Sequence, residues 1–346
     1  MISAKTSERL RIVAFLCALL VVTIHCQSMT PWFAGEMPVG KLEASLYFLG
    51  TYTVSRIAVP IFFSITGFFL VKEYPKKGWF AKELRKRALT LYVPFVLWNT
   101  IYLALALLTG ESCGGLGAIS AKILGYDPYV RLGCMQFWYL QTVFIYMFAS
   151  PLILPLLQNK WHGLVVICVF FAGWIGTFWY YLPLPLAAGN FMWLTVGSWV
   201  GFRMRDTCCF RDLCKAVVDK RYLLLSVFCI SVVCKVLFGV YRCKMAFDVT
   251  DKVLVFSGVC AVFANLWMFD AVPPLCRQFV GLTFFIYAIH AFMVSVALRV
   301  GLSFHLSTLM MYLLKISFGM VLSLLVGVFL RCYLPRTFNI LTGGRS

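Results

Sequence analysis

About ten stretches of roughly 17 to 25 mostly apolar residues follow one another along this chain, and that succession limits what it can fold into. They lie near residues 12–29, 46–71, 88–109, 135–157, 163–181, 186–202, 222–240, 253–270, 281–300 and 308–330. A single soluble core cannot hide so much apolar surface. Of 346 residues 62% are hydrophobic and only 13% charged, and the mean hydropathy is +0.87. Hydrocarbon offers backbone N–H and C=O groups no partner, so runs of this length cross it as helices. The expectation is an all-α, polytopic transmembrane helical bundle of about ten spans in contact with membrane lipid.

The formal net charge of +18 would suit a nucleic-acid binder if the basic residues gathered on a soluble module among stacking aromatics. They sit instead in short segments between the apolar runs, so no nucleic-acid partner is expected. With the N-terminus in the cytosol, the inside segments collect Lys5, Arg9, Arg11, Lys72, Lys76, Lys77, Lys82, Arg85, Lys86 and Arg87. Lys160, the group from Arg203 to Arg221, Arg277, Arg331, Arg336 and Arg345 follow on the same side. The outside segments keep only Lys41, Lys122, Arg131, Arg242, Lys244 and Lys252. This bias, roughly three to one, predicts that both termini are cytoplasmic. The first run has no small-residue cleavage site and continues into "MTPWFAGEMP", so it reads as a retained span. No internal repeat or long linker is evident, and the longest outer loop, 110–134, is short. Residues 1–346 therefore read as a single membrane domain.

Fourteen cysteines would suggest a disulfide scaffold in a small secreted chain, but most lie within apolar runs, where cysteine acts as a small hydrophobe. Cys113 and Cys134 bracket an outer loop that a bridge could close. Cys208, Cys209 and Cys214 lack a nearby histidine and zinc-site spacing, so they read as free thiols and no metal is expected.

Polar groups inside the runs are more informative, because a charge at mid-helix costs about 2.5–3.5 kcal/mol or more unless it faces protein or water. His25, Arg56, Asn99, Gln141, Asn190 and His290 are such groups. They read either as the lining of one internal cavity or, for the three amides, as hydrogen-bonding glue between helices. At 1.5 Å per residue, His25 lies roughly 20 Å from the cytoplasmic start of its span and Arg56 roughly 15 Å below the outer start of the next. Lys235, Arg299 and Lys315 lie nearer span ends, where long stems snorkel. Pro60 removes the amide partner of the Arg56 carbonyl and should kink its helix there.

Five stretches in order resemble the bacterial acyltransferase-3 family of membrane O-acyltransferases, which modify cell-surface glycans with acetyl or related groups. "RIVAFLCALLVVTIHC" is similar to the family's first span, ending in its functional histidine. "RIAVPIFFSITGFF" is similar to its Arg-x-x-Val-Pro-x-Phe-Phe-x-x-Ser-Gly element, with Thr66 in place of serine. "ELRKRALTLYVPFVLW" resembles its basic approach to span three, "QFWYLQTVF" its Trp-Phe-Leu element, and "LTFFIYAIHAFMV" its late Tyr-Leu-Ile-His span. The closing "LTGGR" resembles the branch acting on surface polysaccharides. Two positions depart from the pattern: Ala14 stands where the family has a basic residue, and so does Thr90. On a helix, Arg11 and position 14 both fall within about 40° of the His25 face and Arg11 lies only about 4.5 Å nearer the cytosol than position 14, so Arg11 is a candidate to supply the cation missing there.

The resemblance implies a multi-pass enzyme of the bacterial inner membrane. It would move an acyl group, acetyl in the first instance, from cytosolic acyl-CoA to a hydroxyl of a surface glycan or its lipid-linked precursor, with no bound cofactor. That reaction needs a base for the hydroxyl proton, and imidazole, with an unperturbed pKa of about 6.5, suits the task. His25 is the expected base, or less directly an acyl carrier. Arg56 is the expected donor to the tetrahedral oxyanion. Asn99, Tyr287 and His290 are expected to contact substrate. Arg11, Lys82, Arg85, Lys86 and Arg87 are expected to hold the phosphates of the donor. Two other readings compete: a transporter or flippase without acyl-transfer chemistry, and a catalytically lapsed relative that binds glycan.

Overall fold

The computed structural model describes residues 4–27, 30–37, 39–108, 110, 115–124, 135–176, 187–204, 215 and 217–344. Among these residues there is no strand, and each expected span overlaps a helix. The helices are α1 (Ala4–Ile24), α2 (Lys41–Leu70), α3 (Trp79–Leu108), α4 (Trp138–Gln158) and α5 (Lys160–Gly176), then α6 (Ala188–Arg203), α7 (Arg221–Val240), α8 (Lys244–Ala264), α9 (Val280–Ser303) and α10 (Thr308–Tyr333). Among the described residues six, α2, α3, α4, α7, α9 and α10, are long and apolar enough to cross a membrane. In α1 and α8 the N-terminal halves carry several charges, and α5 and α6 are shorter.

Three departures from the expected spans bear on the site. Helix α1 stops at Ile24, so His25 lies in the closing turn, its N–H donating to the Val22 carbonyl at 3.1 Å. Helix α8 begins at Lys244 rather than near 253, which moves Asp248 and Asp251 from a loop onto a helix. Its charged opening is helical because Lys244 and Asp248 pair at i,i+4. In α2 the disturbance expected from Pro60 appears as a 3-10 turn, Val54–Ile57, directly before the α-helical segment Ala58–Leu70 that carries the proline. Hydroxyls stabilise this stretch: Thr53 Oγ1 donates to the Leu49 carbonyl at 2.5 Å and Ser55 Oγ to the Thr51 carbonyl at 2.7 Å.

The chain packs as two compact units, residues 1–62 with 204–325 and residues 63–203 with 326–346. In the first, α7 and α8 form a hairpin, α7 packs on the start of α2, and α9 packs on both α1 and α10. The end of α1 is clipped to α2 by Thr23 Oγ1 to the Gly50 carbonyl at 3.2 Å and by Thr51 Oγ1 to the Thr23 carbonyl at 3.1 Å. In the second, Gly197 and Gly201, one turn apart on α6, lie directly on the α2 backbone at Ser64 and Phe68, and Ser198 donates to the Gly67 carbonyl at 3.1 Å. Small residues at this spacing let two membrane helices approach closely enough for backbone contact. The helix Pro335–Thr342 packs on α3, where Trp98 Nε1 donates to the Leu341 carbonyl at 3.0 Å.

Ion pairs fasten the start of α1. Arg9 grips Asp270 through Nε at 2.8 Å and Nη2 at 2.5 Å, Lys5 reaches the same carboxylate at 3.0 Å, and Arg277 bonds Glu8 at 2.8 Å. The Arg9 hydrogen bonds, seconded by Lys5, hold the Asp270 carboxyl well below the usual carboxylate range. A carboxyl so lowered contributes stability above its unfolded value of about 3.9 and loses it as pH falls towards the folded value. Thermal unfolding in detergent should therefore show Asp270→Asn less stable than wild type at pH 7, with the gap narrowing below about pH 4. A gap of equal size at both ends of that range would contradict this role.

Candidate active site

In the first unit the structure brings His25, His290 and Tyr287 together. The His25 and His290 rings lie 5.1 Å apart between centroids and are tilted by 44°. His25 is exposed, whereas His290 on α9 is 0% exposed. Since a carbonyl can only accept, Nδ1 of His290 carries the proton it donates to the Tyr287 carbonyl at 2.8 Å, with the Ile286 carbonyl at 3.3 Å. The lone pair then resides on Nε2, which is buried without a hydrogen-bond partner among the described residues. An acceptor left so costs about 1–3 kcal/mol, which points to a donor that arrives from outside. The Tyr287 ring stands 6.2 Å from His290. Two charged imidazoles at the separation seen here would repel by about 3 kcal/mol at an effective dielectric near 20, so the pair holds at least one neutral ring.

Arg56 is engaged elsewhere. Its Nε and Nη2 bond the two oxygens of Asp251 on α8 at 3.3 and 3.4 Å, and Lys235 on α7 closes on Oδ1 of the same carboxylate. No hydrogen bond or ion pair joins either histidine to Arg56 among the described residues. Lys235, expected to snorkel, is 1% exposed. It stays inside because Asp251 compensates its charge and its ammonium lies 4.7 Å from the Phe247 ring centroid. Lys315, also expected to snorkel, is half-buried and donates to the Cys26 carbonyl at 3.3 Å, while Arg299 is exposed. Arg11 is exposed and has no ion pair among the described residues, in contrast to Arg9. The signal for the Asp251 cluster was two aspartates, Asp248 and Asp251, just ahead of an apolar run.

The second unit holds the remaining candidates. Lys82, Arg85, Lys86 and Arg87 share the helical segment Trp79–Arg87, followed by a π turn at Ala88–Tyr92. Within it Arg87 bonds the buried Glu83 at 2.7 Å, and Lys86 lies 3.5 Å from that carboxylate. Lys82 and Arg85 are exposed. Asn99 is 1% exposed and holds the Ile123 carbonyl of the segment Leu116–Leu124 at 3.4 Å. Two stretches singled out in the sequence meet here, the Thr66 and Tyr139 hydroxyls lying 2.6 Å apart. Among the described residues no three His, Cys, Asp or Glu form a group that could hold a metal. Cys113, Cys134, Cys208, Cys209 and Cys214 lie outside the described residues.

A family model described as an acyltransferase domain matches residues 10–332. No curated protein and no solved structure matches the chain.

Lys235 is buried and Asp251 largely so, whereas Arg56 is exposed; removing the carboxylate leaves the buried Lys235 uncompensated, at a cost of about 3–5 kcal/mol. Asp251→Ala, which strands both Lys235 and Arg56, should lose stability of that order in denaturant unfolding in detergent. Arg56→Ala, which leaves Lys235 paired, should lose less. A loss under about 1 kcal/mol for Asp251→Ala, typical of a surface pair, would contradict the cluster.

Proposed function

This chain belongs to the acyltransferase family of that match, a multi-pass membrane acyltransferase, and from this premise we propose that it moves an acyl group, acetyl in the simplest case, from acyl-CoA to a hydroxyl of a surface glycan or its lipid-linked precursor. Its place is the cytoplasmic membrane of a bacterium, spanned about ten times with both termini in the cytosol. The observation that carries the proposal is the histidine pair: an exposed residue beside a buried one, with their rings at a separation that disfavours charging both.

In the proposed step the acceptor oxygen attacks the thioester carbonyl carbon while His25 takes the hydroxyl proton. The carbonyl electron pair moves onto oxygen. Collapse of this intermediate reforms the carbonyl and breaks the carbon–sulfur bond, and the departing thiolate receives the proton from His25. His290 and Tyr287 orient His25 and the acceptor. Because the His290 Nε2 lone pair has no partner among the described residues, it is suited to accept from an acceptor hydroxyl. Asn99, buried and donating to the Ile123 carbonyl, anchors the segment Leu116–Leu124 in the second unit. In the second unit the exposed Lys82 and Arg85, with Lys86, are suited to the donor phosphates; in the first unit Arg11 is exposed and has no ion pair among the described residues, which leaves it suited to an anion. Arg87 contributes by holding the helix through Glu83.

His25→Ala should lower turnover of labelled acyl-CoA into an acceptor ester about 10²-fold or more while the protein still inserts and folds. More than roughly a tenth of wild-type turnover would remove His25 from the base role. The donor cluster has its own readout. The double change Lys82→Gln with Arg85→Gln should raise the donor KM about tenfold, corresponding to about 1.4 kcal/mol of lost phosphate contacts, with a smaller effect at high salt. An unchanged donor KM would return these residues to a purely topological role.

A further inference from the structure

The oxyanion of an acyl transfer needs a positive donor beside the reacting carbon, and the sequence pointed to Arg56. The structure gives that arginine a counter-ion: both its Nε and Nη2 lie on Asp251. A different cation stands at the end of α1. Lys315 Nζ donates to the carbonyl of Cys26, the residue directly after His25, at 3.3 Å. It is half-buried and has no carboxylate partner among the described residues. An ammonium offers three donors and this carbonyl uses one, so the group keeps two donors and a charge with no carboxylate partner among the described residues, held on the residue that follows the base in the chain.

The helix that carries Lys315 is seated on both histidine-bearing helices. Three residues after it, α10 widens into a π turn, Phe318–Leu322. There Gly319 lies against Val22 and Val294, so closely that any side chain at 319 would overlap Val22. Val22 is three residues before His25, and Val294 is one turn beyond His290. One turn before Lys315, Tyr312 reaches Thr51, hydroxyl to hydroxyl at 3.3 Å. Helix α10 is thus pinned above and below Lys315, and its π turn sets the phase at which the lysine faces the end of α1. π turns of this kind recur at functional sites because they re-aim side chains without ending a helix.

We propose that Lys315 is a further catalytic residue, the cation that stabilises the oxyanion formed beside His25, and this rests on the acyl-transfer reading above. The competing role is structural, a cap on the last carbonyls of α1. Lys315→Gln separates the two, because its amide still donates to the Cys26 carbonyl but carries no charge. In the purified full chain with labelled acyl-CoA and acceptor, Lys315→Gln should lose about 10²–10³ in kcat, with the donor KM and the thermal midpoint near wild type. Lys315→Arg should restore most of that loss. A Lys315→Gln variant with kcat within about threefold of wild type overturns the assignment. So does one whose activity and thermal midpoint fall together and are not restored by arginine. If wild type transfers and only this variant matches it, the acyl-transfer reading stands and the lysine assignment alone fails. A wild type that transfers nothing overturns both.

Discussion

Hydrocarbon provides no hydrogen-bond partner, so every polar group carried into it must find one inside the protein or face an internal recess. The first unit is organised around that constraint. Thr51, Thr53 and Ser55 return their hydroxyls to carbonyls where α2 loses its regular helix before Pro60. Asp251 serves Arg56 and Lys235 at once. Lys315 serves the carbonyl that the end of α1 leaves free. Like Ser323 Oγ, the Nε2 atom of His290 is satisfied by nothing among the described residues. It lies beside an exposed imidazole, where a substrate hydroxyl could supply the missing hydrogen bond.

The same constraint divides the cations by role. A guanidinium whose Nε and Nη2 are both committed to a carboxylate has its donors fixed there, and removing its partner harms the fold before it harms chemistry. An ammonium bonded to one neutral carbonyl keeps its charge. On this ground the proposed reaction draws its base from α1, its orienting groups from α9 and its electrostatic stabilisation from α10. The remainder of the first unit holds those three helices in phase. The second unit carries a basic segment in which Glu83 fixes one arginine and leaves Lys82 and Arg85 accessible, suited to a phosphate-rich donor.

Much of the fold was legible in the sequence because membrane helices announce themselves by length and hydropathy, and Pro60 marked the irregular part of α2. His25 and His290 were legible from two short stretches 265 residues apart, and the structure sets their rings side by side. Helix α8 was placed too late because its first turns read as a charged loop. Hydropathy cannot see that Lys244, Asp248 and Asp251 find partners along and across helices. The misreading of Lys235 has the same cause: Asp251 compensates its charge, and only packing reveals which lysine a given aspartate meets. Lys315 was hidden differently, since near a helix end a free lysine and a working one look alike until the neighbouring chain is in place.

The claim on which the rest depends is transfer itself, from a CoA thioester to a hydroxyl. The direct measurement incubates the purified full chain with acyl-labelled acetyl-CoA and a hydroxyl-rich surface glycan, then follows the label by mass spectrometry alongside release of the CoA thiol. The account predicts label in an alkali-labile ester on the glycan, with one free thiol for each ester formed. Label that remains on CoA, or that leaves only as free acid whatever glycan is supplied, would contradict it.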